Sequence, residues 1–136
     1  MEITKTACII DDDPIFVFGT KILLKNNGFG TDIMVCKNGK EALDLFSDIL
    51  SSVKELPELI LLDLNMPVMD GWEFLEEFDK ISNQKKSCIY VLSSSIDKRD
   101  MERAMAYPSV RNFITKPLSS IKLRELILEM ETPGHQ

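Results

Sequence analysis

Four short strand-like stretches in this chain each hand over to polar residues that can do chemistry. Thr6–Ile10 leads into Asp11-Asp12-Asp13, Leu59–Leu62 into Asp63, Cys88–Leu92 into Ser93-Ser94-Ser95, and Arg111–Thr115 into Lys116-Pro117. Carboxylates packed together repel, and one takes up a proton unless a cation neutralises the group. Oxygen donors without His or Cys select a hard ion, Mg²⁺, Mn²⁺ or Ca²⁺, over zinc or copper. Mg²⁺ keeps several waters and is usually held by one or two carboxylates plus phosphate oxygens. An acid group beside a lysine therefore suits a phosphoryl group. Asp63 is the nucleophile in that chemistry, since a carboxylate can form an aspartyl phosphate. The metal and Lys116 would neutralise oxygens of the group in transit.

Bringing these residues together is the work of the fold. The pattern predicts strands over Thr6–Ile10, Asp32–Cys36, Leu59–Leu62, Cys88–Leu92 and Arg111–Thr115. Between and after them it predicts helices over about Pro14–Asn27, Lys40–Val53, Trp72–Ile81, Asp97–Ala106 and Ser119–Met130. Asp13 supplies an N-cap with Pro14 at the first helical position. Ala42, Leu43, Phe46, Ile49, Leu50 and Val53 recur at the spacing of one helix face. Asp70-Gly71 reads as a turn with N-cap duty, and Pro108 disfavours helix at Tyr107. Strands alternating with helices imply a parallel sheet covered on both faces. Right-handed crossovers leave few topologies, and the doubly wound, flavodoxin-like order 2-1-3-4-5 is the common one for five strands. Its switch point lies between the first and third strands, and ligands bind beyond the carboxyl ends there. The second strand, away from that point, ends in Cys36-Lys37-Asn38 with no acid.

Composition narrows the classes. The chain has 136 residues, which fits a single domain with a core over about residues 5–131 and a tail over 132–136. A net charge of −6 argues against direct binding to a nucleic-acid backbone, which needs clustered Lys and Arg. The Lys85-Lys86 pair reads as a solvated turn. No apolar run approaches the roughly 20 residues of a membrane helix, and the N-terminus lacks a signal-peptide core, so a cytoplasmic location is expected. Cys8, Cys36 and Cys88 are widely spaced, and the single histidine is His135 in the tail. Buried free thiols are expected in place of disulfides or a zinc site.

Taken singly, several of these residues have plainer readings. Asp13 serves as a helix cap and not as a ligand. Asp11 and Asp12 could be solvated turn acids, though two adjacent acids after a buried strand fit that poorly. Ser93 to Ser95 could be an ordinary loop, and Lys116 a surface lysine. Asp63 after four aliphatic residues is costly unless paired or metal-bound.

Together the residues resemble response-regulator receiver domains, from about Lys5 to Glu131. The matching pieces are Ile9-Ile10-Asp11-Asp12-Asp13-Pro14, Leu62-Asp63-Leu64-Asn65-Met66-Pro67 with Met69-Asp70-Gly71, Val91-Leu92-Ser93-Ser94, and Phe113-Ile114-Thr115-Lys116-Pro117. All four stand in receiver order and spacing. The resemblance implies that Asp63 accepts phosphate from a histidine kinase or histidine phosphotransfer protein of a two-component system or phosphorelay. It implies Mg²⁺, or Mn²⁺ in its place, held by Asp12 and Asp63, by Asp11 mostly through water, and by the backbone carbonyl of Asn65. Lys116 would pair with Asp63 at rest and with the phosphoryl group afterwards. Ser93 would move to bond that group, Phe113 would turn inward as it does, and the Lys116-Pro117 bond would be cis. Phe113 has no hydroxyl, so its switching would act through packing alone, and a ring permanently buried in the core is its plainer reading. The stretch Tyr107 to Asn112 departs from the Gly-rich approach usual in the family. Ser95, with Asn65, would border the path of the hydrolytic water and leave the phosphoryl group open to it.

The expected role is thus a phospho-accepting switch, not an enzyme acting on other substrates, that signals by binding a separate effector protein. Two rivals remain. A haloacid-dehalogenase-type phosphatase needs an Asp two residues after the nucleophile, where this chain has Asn65. A receiver-like docking module that is never phosphorylated would leave the acid, hydroxyl and lysine set without a task. A flavodoxin-like cofactor carrier needs a phosphate loop where three acids stand.

Overall fold

The structure, a computed structural model, describes residues 5–29, 33–52, 54–81, 87–94 and 97–131. Asp32, Val53, Lys85-Lys86, Ser95, His135 and the tail 132–136 lie outside them. Strands and helices alternate throughout: β1 (Ala7–Ile10), α1 (Pro14–Lys25), β2 (Met34–Cys36), α2 (Gly39–Ser51), β3 (Leu59–Leu62), α3 (Gly71–Phe78), β4 (Cys88–Ser93), α4 (Lys98–Met105), β5 (Val110–Thr115) and α5 (Ser120–Glu131). The sheet runs β2-β1-β3-β4-β5 with parallel pairing throughout, the order read from the alternation of elements.

Central parallel strands are covered on both faces and so read as unbroken aliphatic runs. Every residue of β1 and β3 is buried, which explains Ala7–Ile10 and Leu59–Leu62. Alternate side chains enter opposite layers. Cys8, Ile10, Ile60, Leu62, Ile89 and Val91 join Phe46 of α2 and Phe74 and Phe78 of α3. Those three rings form a mutual cluster with centroids 6.1, 6.0 and 5.5 Å apart. Ala7, Ile9, Leu59, Leu61, Tyr90 and Leu92 join Leu24 of α1 and Leu123 and Leu126 of α5.

Element ends differ from expectation where polar groups intervene. Helix α1 stops at Lys25, short of Asn27, because the Asn27 side chain donates to the Leu23 carbonyl and the Phe29 amide to that of Leu24. Gly28 supplies the left-handed turn this needs, at φ 95°. Helix α3 ends at Phe78, and tighter turns from Lys80 to Glu77 and Ile81 to Phe78 follow. Asp97 caps α4 from outside by accepting the Arg99 amide. Strand β5 begins at Val110 and holds one more residue than β4 between Ile89↔Val110 and Tyr90↔Asn112. The extra residue is Arg111, whose guanidinium donates to the Glu129 carbonyl near the end of α5 at 2.6 Å. Beside it, Cys88 is only partly buried, unlike Cys8 and Cys36. Among the described residues, no helix is long and apolar enough to cross a membrane.

Candidate functional site

Each chemically interesting residue stands at or just beyond a strand's carboxyl end, and backbone hydrogen bonds carry the ladder that far. The Asp63 amide donates to Ile10, that of Asp11 to Cys36, and that of Lys116 to Ser93, each at 2.9 Å. This fixes where the side chains start. Asp11, Asp12 and Asp63 then bring carboxylate oxygens within 4.8 Å of one another. Lys116 Nζ lies 2.7 Å from Asp11 Oδ2 and 3.7 Å from Asp63 Oδ1. The resemblance implied a resting pair with Asp63; the shorter contact is to Asp11, the more buried of the two carboxylates. The ammonium therefore bridges the acids, with Asp63 still inside ion-pair reach.

Asp63 is pushed up from 3.8 to about 6. Burial is the largest cause and the neighbouring Asp11 charge the next, against which Lys116 and the Asn65 amide pull the other way. The cluster is thus short of positive charge even with its lysine in place. Its side-chain donors are oxygens alone, a set that suits a hard divalent ion. Asp12 is exposed while Asp11 and Asp63 are buried, so the cluster opens to solvent on one side. An ion or an incoming phosphate would approach from there.

Asp13 behaves as a cap: its side chain accepts the amides of Ile15 and Phe16, and its own amide donates to Asp11 Oδ1. Asn65 is exposed on the loop that follows Asp63. Ser93 is fully buried at the end of β4, paired in register with Thr115 next to Lys116. Phe113 lies buried in the layer with Phe46 and Phe74, one strand across from Val91. The Lys116-Pro117 bond is cis.

Four features escaped the sequence reading. A Cβ on Gly71 would sit 2.6 Å from the Asp63 carbonyl oxygen and 2.8 Å from Leu64 Cα. Gly71 is therefore a close-packing residue against the backbone of Asp63, beyond the turn that its pairing with Asp70 suggested. Trp72, next along, faces α4, with the Arg103 guanidinium 4.0 Å from its ring and Tyr107 at 6.5 Å. Lys116 Nζ lies 4.3 Å from the centre of the Phe16 ring. The only hint of this in the sequence is an aromatic in the first turn of the helix behind the acids. The loop before α3 also holds Val68 at φ 69°, with the Met69 amide bonded back to Pro67.

Residues 7–128 match the family described as response regulator receiver domain. The chain is 31% identical over 104 residues to a probable methanogenesis regulatory protein, FilR2, of Methanothrix harundinacea, covering 76% of this chain and 66% of that one. It is 26% identical to the chemotaxis protein CheY of Bacillus subtilis over 88% of this chain and 91% of that one. A two-component response regulator from Cytophaga hutchinsonii has a similar structure, with a TM-score of 0.84, 27% identity, and coverage of 95% and 98%.

Proposed function

This chain belongs to the response regulator receiver domain family, and on that footing we propose that it is a Mg²⁺-dependent phosphorylation switch with Asp63 as acceptor. One observation carries the reading: three carboxylates within 4.8 Å of one another, two of them, Asp11 and Asp63, bridged by the Lys116 ammonium, at the carboxyl edge of a parallel sheet. Structural acids have no reason to crowd in this way, since the crowding raises the proton affinity of Asp63.

Asp12, Asp63 and the Asn65 backbone carbonyl would hold the ion directly, and Asp11 through water. When bound, it supplies positive charge for the oxygens of the phosphoryl group. An Asp63 oxygen attacks the phosphorus of a phosphohistidine on a kinase or phosphotransfer protein. The new O–P bond forms as the P–N bond breaks, and the imidazole leaves. Lys116 follows the charge from the carboxylate to the phosphoryl oxygens, a movement its two contacts favour. The Ser93 hydroxyl donates to one phosphoryl oxygen, and Phe113 repacks with it. Phosphate shifts this arrangement only as far as it binds one state better than the other. The altered face is then read by an effector protein.

Labelling with acetyl phosphate in the presence of Mg²⁺ tests the assignment. The wild type takes up one phosphoryl group and Asp63→Asn takes up none; undiminished uptake by the variant would sink the proposal. The same experiment with a generic phosphate ester, turned over repeatedly, would favour a phosphatase.

A further inference from the structure

The ammonium of Lys116 has a third neighbour, which the acceptor chemistry does not explain. Its Nζ stands 4.3 Å from the centroid of the Phe16 ring, while Asp11 lies at 2.7 Å and Asp63 at 3.7 Å. The face of an aromatic ring carries negative charge density and attracts a cation within about 6 Å, more strongly where water is scarce. Water is scarce here, because the Lys116 side chain is only 16% exposed. The ring is also held in place. Phe16 sits in the first turn of α1, its amide hydrogen-bonded to the Asp13 cap, and it packs against the buried layer that α1 shares with the sheet. An aromatic residue there, unlike an aliphatic one, also presents a ring face to the ammonium.

We infer that Phe16 is a positioning residue for phosphoryl transfer: its ring face holds the Lys116 ammonium over the gap between Asp11 and Asp63. The inference rests on the reading of Asp63 as acceptor. Its physical sense lies in direction. A hydrogen-bond acceptor in this place would tie up one of the three N–H donors and fix the ammonium along one line. A ring face makes no such demand. The ammonium can slide from Asp11 toward a phosphoryl group on Asp63 while it stays over the ring, with its N–H groups turned to the oxygens. Phe16 thus limits where the lysine can go without competing for its donors.

The test compares acetyl phosphate labelling rates at one Mg²⁺ concentration for four proteins: wild type, Phe16→Leu, Phe16→Tyr, and protein carrying pentafluorophenylalanine at position 16. The fluorinated ring keeps the shape but reverses the charge of the face. Tyr at 16 should label at close to the wild-type rate, while Leu and the fluorinated ring should label about two- to thirtyfold more slowly. Phe18→Leu, at an exposed position of the same helix, should be unchanged. A second readout needs neither metal nor phosphate. In NMR spectra of metal-free protein, the Lys116 ε-methylene protons should be shifted upfield by the ring and return to the ordinary position in Phe16→Leu. Wild-type labelling by the Leu or fluorinated protein would overturn the inference, as would unshifted ε-methylene protons in the wild type. A wild type that takes no label would overturn the assignment of Asp63 instead, and the ring–ammonium contact would then stand or fall on the proton shift.

Discussion

Replacing Asp63 with Asn should stabilise the metal-free protein at neutral pH, even though it removes the acceptor. The unfolded chain loses the Asp63 proton near 3.8, whereas the folded chain keeps it up to about 6. Between those values the folded state binds more protons, so the wild type loses stability as pH rises through the interval. Below it, the neutral carboxyl and the amide are near-equivalent, and above it the full penalty is in place. At roughly 1.4 kcal/mol per pH unit the interval amounts to about 3 kcal/mol. Water reaching the cluster from the exposed Asp12 side reduces this, so about 1.5 kcal/mol is the expected gain. For a chain of this size that corresponds to a rise in Tm of about 5 °C. The assay is urea unfolding of both proteins with chelator present, at about pH 7.5 and again at about pH 4.5. The variant should lead at the higher pH, and at the lower, which lies inside the interval, the lead should shrink to about a third. Millimolar Mg²⁺ should then narrow the gap, because the ion binds the folded wild type better. A variant less stable at about pH 7.5, or a gap unaffected by pH, would refute the claim that Asp63 carries crowded, desolvated charge.

Two further substitutions test the loop that frames the site. Gly71→Ala places a methyl against the backbone of Asp63 and Leu64, which cannot swing aside as a side chain could; urea unfolding should register a loss of about 1–3 kcal/mol, and an unchanged midpoint would show that the loop yields freely. Val68 holds a positive φ that β-branched residues avoid and is solvent-exposed. Val68→Asn should therefore raise stability by about 1 kcal/mol in the same assay, and no gain would mean that the loop stores no strain there.

Most of the fold was legible because its central strands carry little else besides their burial. Leu59–Leu62 is flanked by Pro57 and Asp63, so both of its ends could be read to the residue. The ends of α1 and α3 were not legible, because side-chain and backbone groups beyond the apolar spacing decide where each helix stops. The bulge at Arg111 was equally hidden: one extra residue in an edge strand leaves no trace in hydrophobic pattern. At the site, topology sufficed to gather Asp11, Asp12, Asp63 and Lys116 at one edge of the sheet. What topology does not contain is which acid the lysine favours. That choice depends on the relative burial of two carboxylates a few ångströms apart. Nor does it contain the space around Gly71, or the ring beneath Lys116, since both are matters of close approach between separate elements.

Trp72 is the chain's only tryptophan, and it adjoins the glycine that rests on the backbone of Asp63. Its indole is sandwiched beneath a guanidinium and alongside a phenol, both carried by residues at the far end of α4 and just past it. Helix α4 buries little besides Ala104, so this clasp is a substantial part of what joins it to α3. Any displacement between the two helices has to lift the positive charge off the indole or drag the indole along. In either case the emission of the single tryptophan changes, which gives the molecule an optical gauge of its own at the junction.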